Sequence, residues 1–455
     1  MTILTELIES RTPVGISASL GRLIASGELA AGQRLPTVRE LAAGLGVSPA
    51  TVSQAWKALA AAGLIESHGR NGSFVRGPTT PVRSAFSQRH SDSSGLPGLD
   101  LSRGTPDPQL LPGLSRALSR VSHRAETSAY MELPVIPELL GVLSDSWPYP
   151  VESITIVNGA LDAIYRSIEQ VSRFGDRVVV ENPGFPPFFD LLKRLGLEAV
   201  PVEVDEHGIV PESFGAALKV SPALVILQPR AVNPTGASMT AERAKTLARM
   251  IGAGTPHSNV MVIEDDHSGD ITAAPDVSLG SWIPERVLHV RSYSKSHGPD
   301  LRIAALGGPA THINAIEATR MLGPGWTSRM LQTILFELLT SSESVAEVSD
   351  ARRVYFSRQK AFTEALRDLG MEVRQADGIN AWIPVDDEHD AILQLAARGI
   401  RVAGGTPFFA TESTQPHIRV TVGAISGDVA SVAKALAAAA TAEPPGTPAL
   451  STRWA

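Results

Sequence analysis

The residues richest in chemistry lie in one short run, Ser292-Tyr293-Ser294-Lys295-Ser296-His297-Gly298-Pro299-Asp300-Leu301-Arg302. A lysine amine beside hydroxyls and a guanidinium suits a Schiff base to an aldehyde cofactor whose phosphate the neighbours hold. Ser292, Ser294 and Arg302 supply those neighbours. A lysine in a serine-rich loop is by itself an ordinary surface residue, so the other groups decide. Asn158-Gly159-Ala160-Leu161 follows an apolar run and opens a helix, aiming free N–H groups and a positive dipole end at a phosphate. Val262-Ile263-Glu264-Asp265-Asp266-His267 ends a strand in carboxylates, one of which can pair with a protonated pyridine nitrogen. In Asn233-Pro234-Thr235-Gly236 the Asn233 amide can reach a ring hydroxyl, and the run is equally an ordinary turn. Phe185, in Glu181-Asn182-Pro183-Gly184-Phe185-Pro186, can stack on a ring or simply pack. Arg419 stands inside the apolar run His417-Ile418-Arg419-Val420. Arginine is rarely buried alone, and its fork fits either a ligand carboxylate or a structural ion pair.

These groups need a scaffold, and the apolar runs describe one. Ser153–Val157, Arg177–Val180, Ala223–Leu227, Val260–Ile263, Arg286–Val290 and Ile303–Leu306 are short, aliphatic and bounded by turn residues. Amphipathic stretches such as Ala160–Ser172 and Ala241–Ile251 separate many of them. Strands alternating with helices predict a mostly parallel central sheet covered on both faces, an α/β fold. Glu347–Leu369 reads as a long helix leading to a smaller C-terminal α+β subdomain with strands near Asn380–Pro384 and His417–Val422.

The N-terminal stretch has a different pattern. An apolar-spaced helix carrying Ile16, Leu20, Leu23 and Ile24 ends at Gly27-Glu28-Leu29. Pro36-Thr37 precedes a helix from Val38, and Ser48-Pro49 opens another through Leu59. Gly63-Leu64-Ile65-Glu66 and Ser73-Phe74-Val75 flank the turn His68-Gly69-Arg70-Asn71-Gly72. Two helices joined by a tight turn, then a hairpin, predict a winged helix-turn-helix. The helix from Ser48 would lie in the major groove of double-stranded DNA, offering Ser48, Ala50, Thr51 and Gln54 near base edges. Arg34 and Arg39 suit phosphate or guanine, and Arg70 on the wing suits the minor groove or backbone.

Residues 10–76 resemble the winged-helix domain of GntR-type transcription regulators, through Arg34-Leu35-Pro36-Thr37-Val38-Arg39-Glu40-Leu41-Ala42, Gly46-Val47-Ser48-Pro49-Ala50-Thr51-Val52 and Gly72-Ser73-Phe74-Val75. Residues 99–440 resemble fold-type I pyridoxal-phosphate enzymes of the class I aminotransferase family, through the Asn-Pro-Thr-Gly and Ser-Tyr-Ser-Lys…Leu-Arg motifs in this order. The joint architecture resembles the MocR subfamily. The resemblance implies that Lys295 forms the internal aldimine with pyridoxal 5'-phosphate, Asp265 partners the pyridine nitrogen, Asn233 meets the ring oxygen and Phe185 stacks on the ring. It implies a phosphate cup of Gly159, Ala160, Ser292, Ser294 and Arg302, with Tyr130 reaching the phosphate of the neighbouring subunit, and Arg419 as the carboxylate clamp for a substrate or effector. It also implies a head-to-tail homodimer. The sequence departs from the family where a tyrosine is usual: His267 stands there, which alters the hydrogen bond to the ring oxygen. Val135 and Leu139-Leu140 replace the Gly and Leu-Arg that usually follow the Tyr130-type residue.

Composition sets the frame around these motifs. The chain has 455 residues, 43% hydrophobic and 19% charged, enough for several compact units and incompatible with a disordered chain. Cysteine is absent, which excludes disulfides and a thiolate nucleophile. The formal charge is -7, which at first sight opposes DNA. Residues 1–76 nevertheless carry seven Lys or Arg against five Asp or Glu, so the acidity belongs to the rest. The expected organisation is a winged helix-turn-helix over 1–76, a Pro/Ser/Gly-rich linker over 77–98, the aminotransferase-like domain over 99–440 and a loose tail over 441–455. No basic-then-apolar leader opens the chain and no apolar run approaches the ~20 residues of a membrane span, so a cytoplasmic protein is expected. The leading expectation is a DNA-binding transcription regulator whose body binds pyridoxal phosphate and senses it or an amino compound. The competing one is a working aminotransferase with an accessory DNA-binding domain.

Overall fold

The computed structural model describes residues 5, 7–8, 10–61, 63–67, 72–76, 98–124, 133–411 and 415–441. The chain divides into two compact units, residues 1–88 and 89–455. Arg70, Tyr130, the expected linker apart from Gly98 and the expected tail beyond Thr441 lie outside the described residues.

In the first unit, α1 (Pro13–Ala25), α2 (Val38–Leu45) and α3 (Pro49–Ala61) precede a hairpin of β1 (Ile65–Ser67) and β2 (Ser73–Val75). Local chemistry sets the boundaries. Thr12 caps α1 by accepting from Gly15 N, with Pro13 in the first turn. Thr37 and Glu40 form a capping box on α2, and Gly46, at φ 67°, ends it in the left-handed region. Ile16 and Leu20 of α1, Leu41 and Leu45 of α2, and Val52, Ala55 and Leu59 of α3 close one small core with Ile65 and Val75.

The second unit opens with β3 (Leu99–Asp100), α4 (Ser115–Arg124) and α5 (Pro137–Asp145). The chain then runs β4 (Ser153–Val157), α6 (Ala160–Val171), β5 (Arg177–Asn182), α7 (Pro186–Leu195), β6 (Glu198–Asp205), β7 (Gly208–Ile209), α8 (Pro211–Leu218), β8 (Leu224–Leu227), α9 (Ala241–Ile251), β9 (Met261–Asp266), β10 (Val287–Ser292) and β11 (Ala304–Gly308). These strands form an eight-stranded sheet in the order β4-β11-β10-β9-β8-β5-β6-β7. Pairing is parallel from β10 through β6, and β11 runs antiparallel to both its neighbours. Successive strand residues serve opposite cores: Val178, Val180, Leu224 and Ile226 face one, while Val179, Val225 and Leu227 face the other. That is why the strands read as continuous apolar runs.

Next come α10 (Ala310–Arg320), α11 (Arg329–Thr340) and the 27-residue α12 (Ser342–Asp368), which starts five residues earlier than its sequence pattern suggested. The C-terminal part comprises β12 (Ala381–Pro384), α13 (Glu388–Ala397), β13 (Ile400–Arg401), β14 (Ala403–Gly404), β15 (His417–Val420) and α14 (Val429–Ala440). Its core joins Phe362 and Leu366 of α12 to Ile383, Ile418, Val420 and Leu436. β13 pairs with β3, so the first described strand of this unit is held by the C-terminal part.

Candidate functional site

The site forms where the parallel strands end, the edge at which open α/β sheets bind ligands. Lys295 lies in the turn after β10, half-buried, and its Nζ donates to Gly104 O. Burial, with the nearby Arg419 guanidinium, depresses its pKa to about 8, against the opposing pull of Asp265. Asp265 ends β9 and is buried; its Oδ2 accepts from Gln228 Nε2 at 2.8 Å, while Oδ1 is buried without a partner. Burial raises this carboxyl to about 7, although the Gln228 bond works the other way. Its neighbour Asp266 shows the reverse balance. Burial alone would raise it, but its ion pair with Arg230 holds it low. The adjacent carboxyls are thereby divided into one that is firmly ionised and one that is poised.

Asn233 lies on the loop after β8, its backbone N donating to Gln228 Oε1 at 2.7 Å and its Oδ1 accepting from Arg419 Nη1 at 3.3 Å. Arg419 is 4% exposed, donates to Ser102 O, and sits with its guanidinium carbon 5.1 Å from the Phe408 ring centre. The structure therefore brings Lys295, Asp265, Asn233 and Arg419 into one bonded cluster through Gln228 and the chain around Gly104. His267 lies half-buried beside it, with Nε2 2.8 Å from Ala231 O. Burial lowers its pKa to about 4, so the ring is neutral and Nε2 carries the proton it gives to that carbonyl.

A second cluster surrounds the start of α6. Gly159 precedes the helix at φ 95° and brings no side-chain cap, so the first helical amides have no acceptor within the helix. A Cβ at Gly159 would lie 2.9 Å from Arg302 Nη2, and that guanidinium also donates to Asn158 O. Gly159, Ala160 and Arg302 are thus together. Ser292 Oγ accepts from Ser294 N at 3.3 Å, within their own turn. Phe185 starts α7 with its ring edge-on to Phe188, centres 5.3 Å apart.

Sequence reasoning missed Gln228, Glu181, Ser102 and Gly104. Gln228 stands five residues before the Asn-Pro turn, and no pattern of spacing marks it. Ser102 and Gly104 act through main-chain carbonyls, which side-chain motifs cannot reveal.

In the first unit, Ser48 Oγ accepts from Thr51 N at 3.1 Å and shares a 2.8 Å hydrogen bond with Thr51 Oγ1, so both serve the start of α3. Ala50 and Gln54 are exposed, while Val52, Ala55 and Trp56 are buried. Lys57 extends the exposed face by a turn beyond Gln54. Arg39 is exposed on α2, and Arg34 is exposed where its backbone bridges to Phe74.

Residues 14–75 match the family described as bacterial regulatory proteins, gntR family, and residues 98–438 match aminotransferase class I and II. The chain is 37% identical over 407 residues to the vitamin B6 salvage pathway transcriptional repressor PtsJ of Salmonella typhimurium, covering 88% of this chain and 92% of that one. It is 26% identical to the probable rhizopine catabolism regulatory protein MocR of Rhizobium meliloti, covering 83% and 80%. Among solved structures, the kynurenine aminotransferase of Pyrococcus horikoshii superposes with a TM-score of 0.69 at 19% identity, over 77% of this chain and 92% of that one. That likeness shows the fold, and the aminotransferase class I and II family implies pyridoxal 5'-phosphate as cofactor. A gntR-family helix-turn-helix joined to an aminotransferase domain, in a chain that aligns with such relatives over most of its length, belongs to the MocR-type GntR transcription regulators.

Proposed function

We propose that this regulator binds operator DNA as a homodimer and that pyridoxal phosphate, or an amino compound meeting it at Lys295, changes that binding. The residues present fit the cofactor at both ends. Asp265 Oδ1 is a buried oxygen in want of a donor, which a pyridine N–H would supply. The uncapped start of α6 beside Arg302 is a cradle for a dianion. Lys295 would hold the cofactor through its amine, with Asn233 and His267 near the ring, Phe185 beside it, Ser292 and Ser294 at the phosphate, and Arg419 for an effector carboxylate. When bound, the cofactor supplies an aldehyde and an electron-withdrawing ring for chemistry on amino groups.

The observation that carries the sensing role is the path of residues 98–107. This stretch enters the body directly after the segment leading from the DNA-binding unit. It gives Ser102 O to Arg419 and Gly104 O to Lys295. Gly104 N also donates to Thr421 Oγ1 at 2.9 Å. The two side chains assigned to cofactor and effector therefore also hold the start of the body, and a ligand that takes either competes with that hold. Such competition gives a ligand different affinities for two arrangements, as coupling requires.

Ala50, Thr51 and Gln54 of α3 would read bases, with Ser48 setting the helix start, Arg34, Arg39 and Arg70 on the backbone or wing, and Lys57 on phosphate. The dimer reading is supported by Leu118, Leu140, Met330 and Val345, large apolar side chains left exposed on α4, α5, α11 and α12, where α11 packs against the other three. Among the described residues no helix is long and apolar enough to cross a membrane, and a DNA-binding regulator of this kind works in the cytoplasm.

The test uses the purified full chain. Bound pyridoxal phosphate should give the wild type an imine absorbance, distinct from that of the free aldehyde, that Lys295→Ala lacks. Genomic fragments should be retained selectively, with an affinity that changes on adding the cofactor. Failure to bind any specific DNA, with or without cofactor, overturns the regulator reading. Steady turnover of an amino acid with a keto acid would put the aminotransferase reading first.

A further inference from the structure

We infer that Gln228 is the positioning residue of the cofactor site, one side chain that holds the Asp265 carboxylate and the Asn233 loop in a fixed relation. This rests on the reading that pyridoxal phosphate occupies the site. Gln228 follows β8 and is 2% exposed. Its Nε2 donates to Asp265 Oδ2 at 2.8 Å, and its Oε1 accepts from Asn233 N at 2.7 Å. Its backbone N donates to Glu181 Oε2 at 3.1 Å, tying it to the end of β5. Three strand ends, β5, β8 and β9, therefore meet at this residue.

An amide suits these contacts, because it offers a donor and an acceptor a fixed distance apart. A leucine of similar size would leave Asp265 Oδ2 and Asn233 N unpaired in a buried place. The bond to Oδ2 also settles the orientation of Asp265. With one oxygen spent on Gln228, the other is the oxygen left for a ring N–H. The same residue fixes where Asn233 stands, and Asn233 in turn accepts from Arg419. Glu181 completes the arrangement as the acceptor of the Gln228 backbone N–H. It is 3% exposed, and burial outweighs the Gln228 N–H to hold its carboxyl well above the ordinary range.

The experiment compares two ligands on the full chain: pyridoxal phosphate, and an analogue with carbon in place of the ring nitrogen. Gln228→Leu should weaken pyridoxal phosphate by about tenfold or more. It should weaken the analogue much less, because that ligand offers Asp265 no N–H. Adding Gln228→Leu to Asp265→Ala should cost little further, the mark of two residues acting through one contact. If Gln228→Leu does not fold, Gln228→Asn should show the same dependence on ligand. Equal losses for both ligands, or no loss, overturn the inference while leaving the cofactor reading intact. A wild-type chain that binds neither ligand overturns the cofactor reading and this inference with it.

Discussion

In its proposed role as the cofactor nucleophile Lys295 acts only when its amine is unprotonated, and its surroundings bring that state closer to neutral pH. With the pKa lowered to about 8, the uncharged fraction rises about tenfold between about pH 7 and about pH 9. The rate of pyridoxal phosphate capture, followed by stopped-flow absorbance, should rise accordingly and level off above that range. Asp265 makes a prediction about stability. Its carboxyl is raised to about 7 from an ordinary value of 3.8, so burial favours the protonated form. The contribution is fully present below the ordinary value and is lost as pH rises through about 7. Without added cofactor, the wild type should lose on the order of a few kcal/mol between about pH 4 and about pH 8 that Asp265→Asn does not lose. Thermal melts across that range check it. At this scale the titrating residues were legible because amines and carboxylates announce themselves. The amide bonded to Asp265 was not, since a glutamine ending an apolar strand has no signature until its neighbours in space are known.

At the scale of elements, the clearest prediction concerns α2. Thr37 and Glu40 satisfy each other's backbone at its start. Thr37→Ala should lower the stability of the DNA-binding unit by about 1 kcal/mol, seen by calorimetry as an earlier transition for that unit while the larger unit melts unchanged. Caps and apolar runs made most of the elements readable. The helix from Val38 and the strand Ser153–Val157 lie where their sequence puts them. β6 was missed for a physical reason. Glu198, Pro201, Glu203 and Asp205 interrupt it, because it is largely half-exposed and its outer neighbour is the two-residue β7. Such a strand has no continuous apolar run to betray it. The five extra residues at the start of α12 were missed too, since Ser342, Glu343 and Ser344 are polar and carry no apolar periodicity.

For the whole molecule, the formal charge of -7 misleads because it averages two units with different tasks. The sequence already separated a mildly basic reader from an acidic body, and the two fold classes were legible from period and motif. The path of the chain between Leu99 and Gly104 was not. Its links to Lys295 and Arg419 are made by carbonyl oxygens, and these partners stand nearly two hundred and more than three hundred residues further on.

That feature bears on how freely this stretch can vary. A link made by the main chain is indifferent to most side chains. The Ser102 hydroxyl donates to Asp100, so replacing that side chain should barely alter the response to pyridoxal phosphate. Gly104 is different: its φ is 63°, and a Cβ there would lie 3.2 Å from Arg419 Nη1. Saturation mutagenesis read by a reporter gene should therefore be nearly silent at 102 and sharply intolerant at 104. The connection between ligand and reader would then be inherited through a missing side chain, with the lettering around it left open to drift.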